Sequence, residues 1–442
     1  MDQREATAPL SLFPQAAGVN DRGHLTIGGC DAVSLASQHG TPLYVLDEAT
    51  IRDRCREYRR EFSQRYPDSL VIYACKAFIN PALALLLHEE GIGLDVVSAG
   101  EISIARSVAF PSDRVYFHGN NKSHGELTFA LDWGIGRIVV DNFRELDLLA
   151  TLAKENGCVQ DVLLRISPGI DPHTHQYVAT GVLDSKFGFP IATGQAEEAL
   201  GKAMAAPGLN VVGLHFHLGS SIFETEPYTR AVEMALRFAV QMKDRYGLRL
   251  AELNVGGGFG VQYQLASPPP PTAEYAQVIT SSIIRLCQEL SLNQPRLIVE
   301  PGRAIVAQSG VALYTVGATK DVPGIRRYVF VDGGMGDNIR PALYGSRYEA
   351  AVANKMNRTG TEEVTIAGKF CESGDILVKD IRLPALEQGD IIAIPASGAY
   401  SLPMASNYNA FLRPAVVMVA DGRSRLVRRR ETYEDLTRCD LA

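Results

Sequence analysis

The chain has 442 residues, 46% of them hydrophobic and 21% charged, which suits a globular protein with a sizeable core and two or three domains. A net charge of −7 gives no electrostatic footprint for nucleic acid, and no apolar run is long enough to span a bilayer. The seven cysteines are scattered without zinc or disulfide spacing, and the polar N-terminus has no signal-peptide apolar region, so a cytoplasmic location is predicted.

Residues 1–48 carry only short apolar pieces, at 24–27 and 42–46, separated by glycines. They read as strands that pack with a β domain rather than as a domain of their own. A charged helix is predicted over 49–65, with Ile51, Cys55 and Tyr58 at helical spacing. The run Leu70-Val71-Ile72-Tyr73-Ala74-Cys75 follows, a buried strand by its composition, and it ends on Lys76. An ammonium so placed lies close to apolar surroundings, where desolvation lowers its pKa and frees the amine as a nucleophile. A lysine that merely snorkels out of a strand end is the alternative.

From that point strand-like runs recur at 70–77, 93–98, 115–120, 137–141, 161–167, 211–219, 252–257 and 296–300. Helical patterns lie between most of them, at 81–90, 123–133, 144–156, 227–246 and 273–290. Such alternation makes right-handed βα units and a parallel sheet, and about eight units close into a (β/α)8 TIM-like barrel. A doubly wound open sheet competes, but no Gly-x-Gly-x-x-Gly follows the first strand. The barrel is assigned to 49–308, with the proline run 268–271 as a surface loop. Strand-like runs at 311–316, 327–332, 364–367, 390–394, 415–420 and 426–429 then succeed one another with turns between. They predict an all-β sandwich or barrel over 309–442, with Arg428, Arg429 and Arg430 as the solvated end of a strand.

Barrels of this kind build their sites at the C-terminal ends of the strands, and there the informative residues fall. Lys76 ends the first strand. Gly256, Gly257 and Gly258 end the seventh, where successive backbone N–H groups can cradle an anion. Glu300-Pro301-Gly302-Arg303 closes the eighth, adding N–H groups, a cation and an acid able to meet a protonated ring nitrogen. His215-Phe216-His217-Leu218-Gly219-Ser220 ends the sixth. Two histidines on one strand face could hold a metal, but no cysteine or carboxylate cluster beside them completes its coordination, and no metal is predicted. A histidine stacked on a flat cofactor, with Ser220 reaching a phosphate, fits better. His173 and His175 are assigned to loop chemistry. Nucleophilic lysine, anion nest, ring-facing histidine and lone acid form the constellation of a Schiff-base pyridoxal-phosphate site.

Several stretches resemble the barrel-type, alanine-racemase-fold decarboxylases: Tyr73-Ala74-Cys75-Lys76-Ala77, His118-Gly119-Asn120-Asn121-Lys122-Ser123, Ser185-Lys186-Phe187-Gly188, the His217–Ser220 run, the glycine triplet and the Glu300–Arg303 run. Asp332 to Tyr344, Cys371-Glu372-Ser373-Gly374-Asp375, Gly398-Ala399-Tyr400 and Met404 to Asn409 resemble the diaminopimelate decarboxylase family in particular. The resemblance covers nearly the whole chain after about residue 25. It implies that Lys76 carries pyridoxal 5'-phosphate, that His217 stacks on its ring and that Glu300 pairs with its ring nitrogen. Ser220, Gly257, Gly258, Gly302 and Arg303 would hold the phosphate, with Tyr400 nearby. Cys371, entering from the second subunit of a homodimer, would return the proton. Glu372 would accept a distal ammonium, while Arg303, Arg340 and Tyr344 would grip a distal carboxylate, with Tyr400 also lining the substrate site. The implied substrate is meso-2,6-diaminopimelate, converted to L-lysine and CO2. Ornithine, D-lysine or a carboxylated polyamine or siderophore precursor is the competing substrate, and a non-catalytic pyridoxal-phosphate protein the competing class. Phe78, Ser221 and Gly336 depart from the family's usual Asn, Gln and Ser.

Overall fold

The computed structural model describes residues 10–170 and 184–441; His173 and His175 lie outside the described residues. Backbone contacts divide the chain into two compact units. One comprises Arg54–Gly260 and Pro269–Ala304, the other Met1–Asp53, Val261–Pro268 and Ile305–Ala442.

The first unit is a closed parallel barrel. Its strands are β1 (Ser69–Ala74), β2 (Gly93–Val96), β3 (Val115–Phe117), β4 (Arg137–Val140), β5 (Gln160–Ser167), β6 (Leu209–His215), β7 (Glu252–Asn254) and β8 (Arg296–Val299). Each pairs in parallel with the next, and β8 closes on β1 with Leu297 opposite Ser69 and Val299 opposite Val71. Ile72, Tyr116, Val139, Leu163 and Ile298 meet inside it as one buried apolar cluster. Tyr116 also donates its hydroxyl to Glu252 at 3.2 Å, and Arg137 pairs with the same carboxylate at 2.8 Å, so this interior acid has both a cation and a donor.

Polar residues set the start of four helices that follow strands. Asn80, Ser98, Ser123 and Asn142 each accept a backbone N–H in the first turn of the helices Pro81–Glu89, Ala99–Ser107, His124–Trp133 and Phe143–Glu155. Ala99–Ser107 and Gln195–Ala205 are helices for which the sequence gives no strong pattern. The buried face of the second is mostly alanine, at 196, 199 and 203 with Leu200, and a stripe of small residues is a weak periodic signal.

In the second unit the thirteen-residue strand Gly310–Val322 pairs antiparallel with Arg326–Val331, Ile391–Ile394 and Leu43–Asp47. Leu43–Asp47 also pairs in parallel with Ala415–Ala420, so an N-terminal strand lies inside the C-terminal sheet. Leu25, Ile27, Leu43, Val45, Val311, Leu313, Val417 and Val419 share one core. Ile376–Leu383 is a strand absent from the sequence expectation: Lys379, Asp380 and Arg382 interrupt its apolar run, as suits an edge of the sheet.

Candidate active site

Most barrel strands stop short of their predicted ends, and the residues singled out for chemistry stand in the turns beyond. β1 ends at Ala74, and Cys75–Ala77 form one 3-10 turn. Cys75 and Ala77 are buried, whereas Lys76 is exposed. The expectation of an ammonium set in apolar surroundings is therefore corrected. The turn lifts Lys76 out of the sheet, and its charge acts on Asp95, Glu101 and His217. Glu101 accepts the Val97 N–H at 2.7 Å, and burial pushes its carboxyl up to about 7.

The histidine pair also differs from the expectation of a shared strand face. β6 ends on His215, which is buried, and His217 lies past the end, half-buried. His217 Nδ1 accepts the Gly257 N–H at 3.2 Å. Desolvation, helped by the Lys76 and Arg165 charges, holds this ring well below the ordinary histidine range. It is thus neutral at pH 7, with the proton on Nε2.

Glu300, just beyond β8, is buried and surrounded by donors. Its Oε1 accepts Asn254 Nδ2 at 2.7 Å and lies 2.9 Å from His118 Nε2, and its Oε2 lies 3.5 Å from His215 Nε2. Burial alone would raise its pKa, but the two rings outweigh burial and hold it well below the carboxylate range. Burial drives His215 itself down to about 3, so that ring is uncharged at neutral pH and the nearer His118 carries more of the hold. Asp95, on β2 and 3.8 Å from His118, goes the other way: desolvation and the Glu300 charge raise it despite His118. Two neighbouring acids are driven apart, one kept ionised and the other inclined to keep its proton.

The glycine triplet serves close packing. A Cβ on Gly257 would lie 2.1 Å from the Glu300 carbonyl oxygen, and one on Gly258 would lie 2.3 Å from that of Gly219. The Gly256 N–H goes to Asn254 Oδ1 at 2.9 Å and that of Gly257 to His217, which corrects the expectation that the triplet's N–H groups cradle an anion, at Gly257 in particular. Gly302 presses on Ala74 in β1, where a Cβ would come within 2.9 Å of its carbonyl oxygen. Arg303 Nη2 donates to Ser220 Oγ at 2.9 Å, bringing together two of the expected phosphate ligands.

The remaining expected residues belong to the other unit. Arg340 and Tyr344 begin and end the helix Arg340–Tyr344; the arginine is buried and the tyrosine half-buried. Cys371 and Glu372 are exposed on one turn, where the Cys371 N–H donates to Asn409 Oδ1 at 2.8 Å. Asp375 closes that turn by accepting the Phe370 N–H at 2.9 Å and ties it to the Asp332–Tyr344 stretch through the Met335 N–H at 2.6 Å. Gly336, one of the departures, has a local cause: a Cβ there would lie 2.2 Å from the Phe370 ring. Tyr400 is half-buried with φ of +57°, a left-handed conformation that costs energy for a residue of its size.

Lys122 and the Phe187-Gly188 pair make structural contacts. Lys122 is buried, with Nζ donating to Glu145 at 2.7 Å and to the Gly119 and Val139 carbonyls at 2.8 Å each. Arg165 stacks on Phe187 with 4.3 Å from Cζ to the ring centroid, and the Gly188 N–H meets Asp141 at 3.1 Å. Sequence reasoning gave no role to Asp95, His118, Asn254 or His215. The available signal was a polar residue set into or just after an apolar run, as in Leu94-Asp95-Val96 and Leu253-Asn254-Val255.

A closed parallel barrel with a lysine, a neutral histidine, an ionised acid and a serine–arginine pair at its strand ends defines a class: the pyridoxal-dependent decarboxylases. A family model described as the pyridoxal binding domain of pyridoxal-dependent decarboxylases matches residues 48–307. The chain is 47% identical over 422 residues to a diaminopimelate decarboxylase of Bacillus subtilis, covering 96% of each protein. It is 46% identical to one of Synechocystis, covering 97% of this chain and 93% of the relative. The chain belongs to the diaminopimelate decarboxylase family. The solved diaminopimelate decarboxylase of M. jannaschii, one structure of which is a complex with L-lysine, superposes with a TM-score of 0.91 at 35% identity, over 97% of this chain and 98% of that one.

Proposed function

We propose that the chain removes CO2 from the D-centre of meso-2,6-diaminopimelate to give L-lysine, with pyridoxal 5'-phosphate as cofactor. The observation that carries this reading is Glu300, a buried carboxylate kept ionised by His118 and Asn254 where a cationic ring nitrogen needs a counter-charge. The donor set suits that cofactor: an accessible amine at Lys76, the neutral ring of His217, and the Ser220–Arg303 pair beside the glycines for a phosphate. When bound, pyridoxal phosphate supplies the electron sink that accepts the pair left as CO2 departs.

Around it the chain's own residues orient and balance charge. Lys76 supplies the amine that holds the cofactor. His217, fixed by the Gly257 N–H, offers a neutral face to the ring, since a cationic one would oppose a protonated pyridine. Ser220, Gly258, Gly302 and Arg303 hold the phosphate, with Tyr400 close by, while the Gly257 N–H stays with His217. On the substrate side Arg340, Arg303 and Tyr344 take the distal carboxylate and Glu372 the distal ammonium. Arg340 is buried against tyrosines and has no carboxylate within ion-pairing distance among the described residues, which favours a substrate with a second carboxylate over ornithine or D-lysine. Cys371 returns the proton, working in the site of a partner subunit of a homodimer. No helix among the described residues is long and apolar enough to cross a membrane, and we place the enzyme in the cytoplasm.

The test is release of CO2 and L-lysine from meso-diaminopimelate by protein loaded with pyridoxal phosphate, with the LL and DD isomers, ornithine and D-lysine as comparisons. Preference for the meso compound is expected, together with a borohydride-trapped adduct at Lys76. Preference for ornithine, or an adduct elsewhere, would sink the reading.

A further inference from the structure

We infer that Tyr263 and Tyr348 are positioning residues for Arg340, holding its guanidinium in place while leaving its charge for a substrate carboxylate; this rests on the substrate reading above. Arg340 is 6% exposed, yet no acid pairs with it among the described residues. What surrounds it is aromatic. Its Nη1 donates to the Tyr348 hydroxyl at 2.5 Å. The Tyr263 ring centroid lies 4.8 Å from its Cζ, and that of Tyr348 lies 5.6 Å away. The two rings meet edge to face, 5.4 Å apart at 83°, forming a two-sided clamp.

The chain builds this clamp from distant pieces. Gly345 ends the helix Arg340–Tyr344 in the left-handed conformation and turns the chain so that Tyr348 comes back to Arg340. Tyr263 arrives from Val261–Pro268, which groups with this unit although it lies between stretches of the barrel.

The choice of tyrosine has a physical consequence. An aspartate or glutamate in contact with Arg340 would fix the side chain but neutralise it, and an incoming carboxylate would have to compete. Tyrosine faces stabilise a cation through their quadrupoles, and a hydroxyl can fix one edge of the planar fork without carrying charge. The guanidinium is thereby pre-oriented with its full charge, which suits bidentate binding of a carboxylate.

Steady-state kinetics on meso-diaminopimelate separates positioning from mere structure. Tyr348→Phe is expected to raise KM by about tenfold or more while kcat stays within about threefold, since it removes one hydrogen bond to a charged group. Tyr263→Ala should raise KM several-fold, and Tyr263→Phe, which keeps the ring but loses a hydroxyl that also accepts a hydrogen bond from Arg340, should fall between it and wild type. As competitive inhibitors, L-lysine, which retains the carboxylate, should weaken in Tyr348→Phe by the same factor as KM, whereas cadaverine, which lacks it, should be unaffected. Equal weakening of both inhibitors, or a fall in kcat at unchanged KM, overturns the inference. If wild-type protein prefers a substrate without a distal carboxylate, the substrate reading fails first and takes this inference with it.

Discussion

A carboxylate in a protein interior normally gives up its charge, because desolvation costs more than one neighbour returns. Glu300 keeps its charge because Asn254 donates to it at 2.7 Å and His118 stands 2.9 Å away, while Asp95 beside them is pushed towards its protonated form. The two neighbouring acids are thus driven in opposite directions, and the firmly held charge is that of Glu300. Replacing Glu300 by Gln retains the volume and an oxygen for Asn254 but removes that charge. That charge would keep the cofactor's ring nitrogen protonated and so make it the better electron sink; Glu300→Gln should therefore still give the borohydride adduct at Lys76, with turnover lower by about 10²–10³-fold. Turnover within threefold of wild type would show that the charge has no part in the chemistry.

At the scale of elements, the segment between Arg326–Val331 and Arg340–Tyr344 is held by Asp337. One of its oxygens accepts the Gly334 N–H at 2.9 Å, and the other accepts the Tyr314 hydroxyl at 2.6 Å. Burial nevertheless pushes its carboxyl from 3.8 up to about 6. The native state therefore binds more protons than the unfolded chain between those values. This contribution to stability is full below about pH 4 and is lost as pH rises through about 6. Asp337→Asn should flatten that part of the profile, so the difference in melting temperature from wild type should change between pH 4 and 6 and then level off. A difference that stays constant across the window would refute the assignment. Asp337 also marks where sequence reasoning thins out. The eight barrel strands were legible because each is a mostly apolar run, and Lys76, His217 and Glu300 because each stands at or near the end of such a run. Strand ends were read too long, since the residues in the turns beyond, such as Phe216 and Val255, are as apolar as those in the strands. The committed N–H groups of Gly256 and Gly257, and the pairing of Asp95 with Glu300, depend on contacts between strands distant in sequence, which local patterns do not encode.

For the whole molecule, the distribution of candidate residues makes the dimer proposal testable. Lys76, His217, Ser220, Glu300 and Arg303 belong to the barrel unit; Arg340, Tyr344, Cys371, Glu372 and Tyr400 belong to the other. Cys371 is exposed, its backbone fixed by Asn409, as suits a thiol that must reach a substrate bound elsewhere. If each site combines Lys76 of one subunit with Cys371 of its partner, two inactive variants can repair one another. Lys76→Ala and Cys371→Ala homodimers should each have little or no turnover. Co-expressed in equal amounts with different tags, they form hybrids in half of the dimers, and each hybrid has one site with both residues native. The mixture should then recover about a quarter of wild-type activity, and hybrids purified through both tags about half. If both residues of a site came from the same chain, every site in the hybrid would lack one of them and purified hybrids would be as inactive as the parents, so an inactive hybrid of normal fold and cofactor content would exclude the shared site.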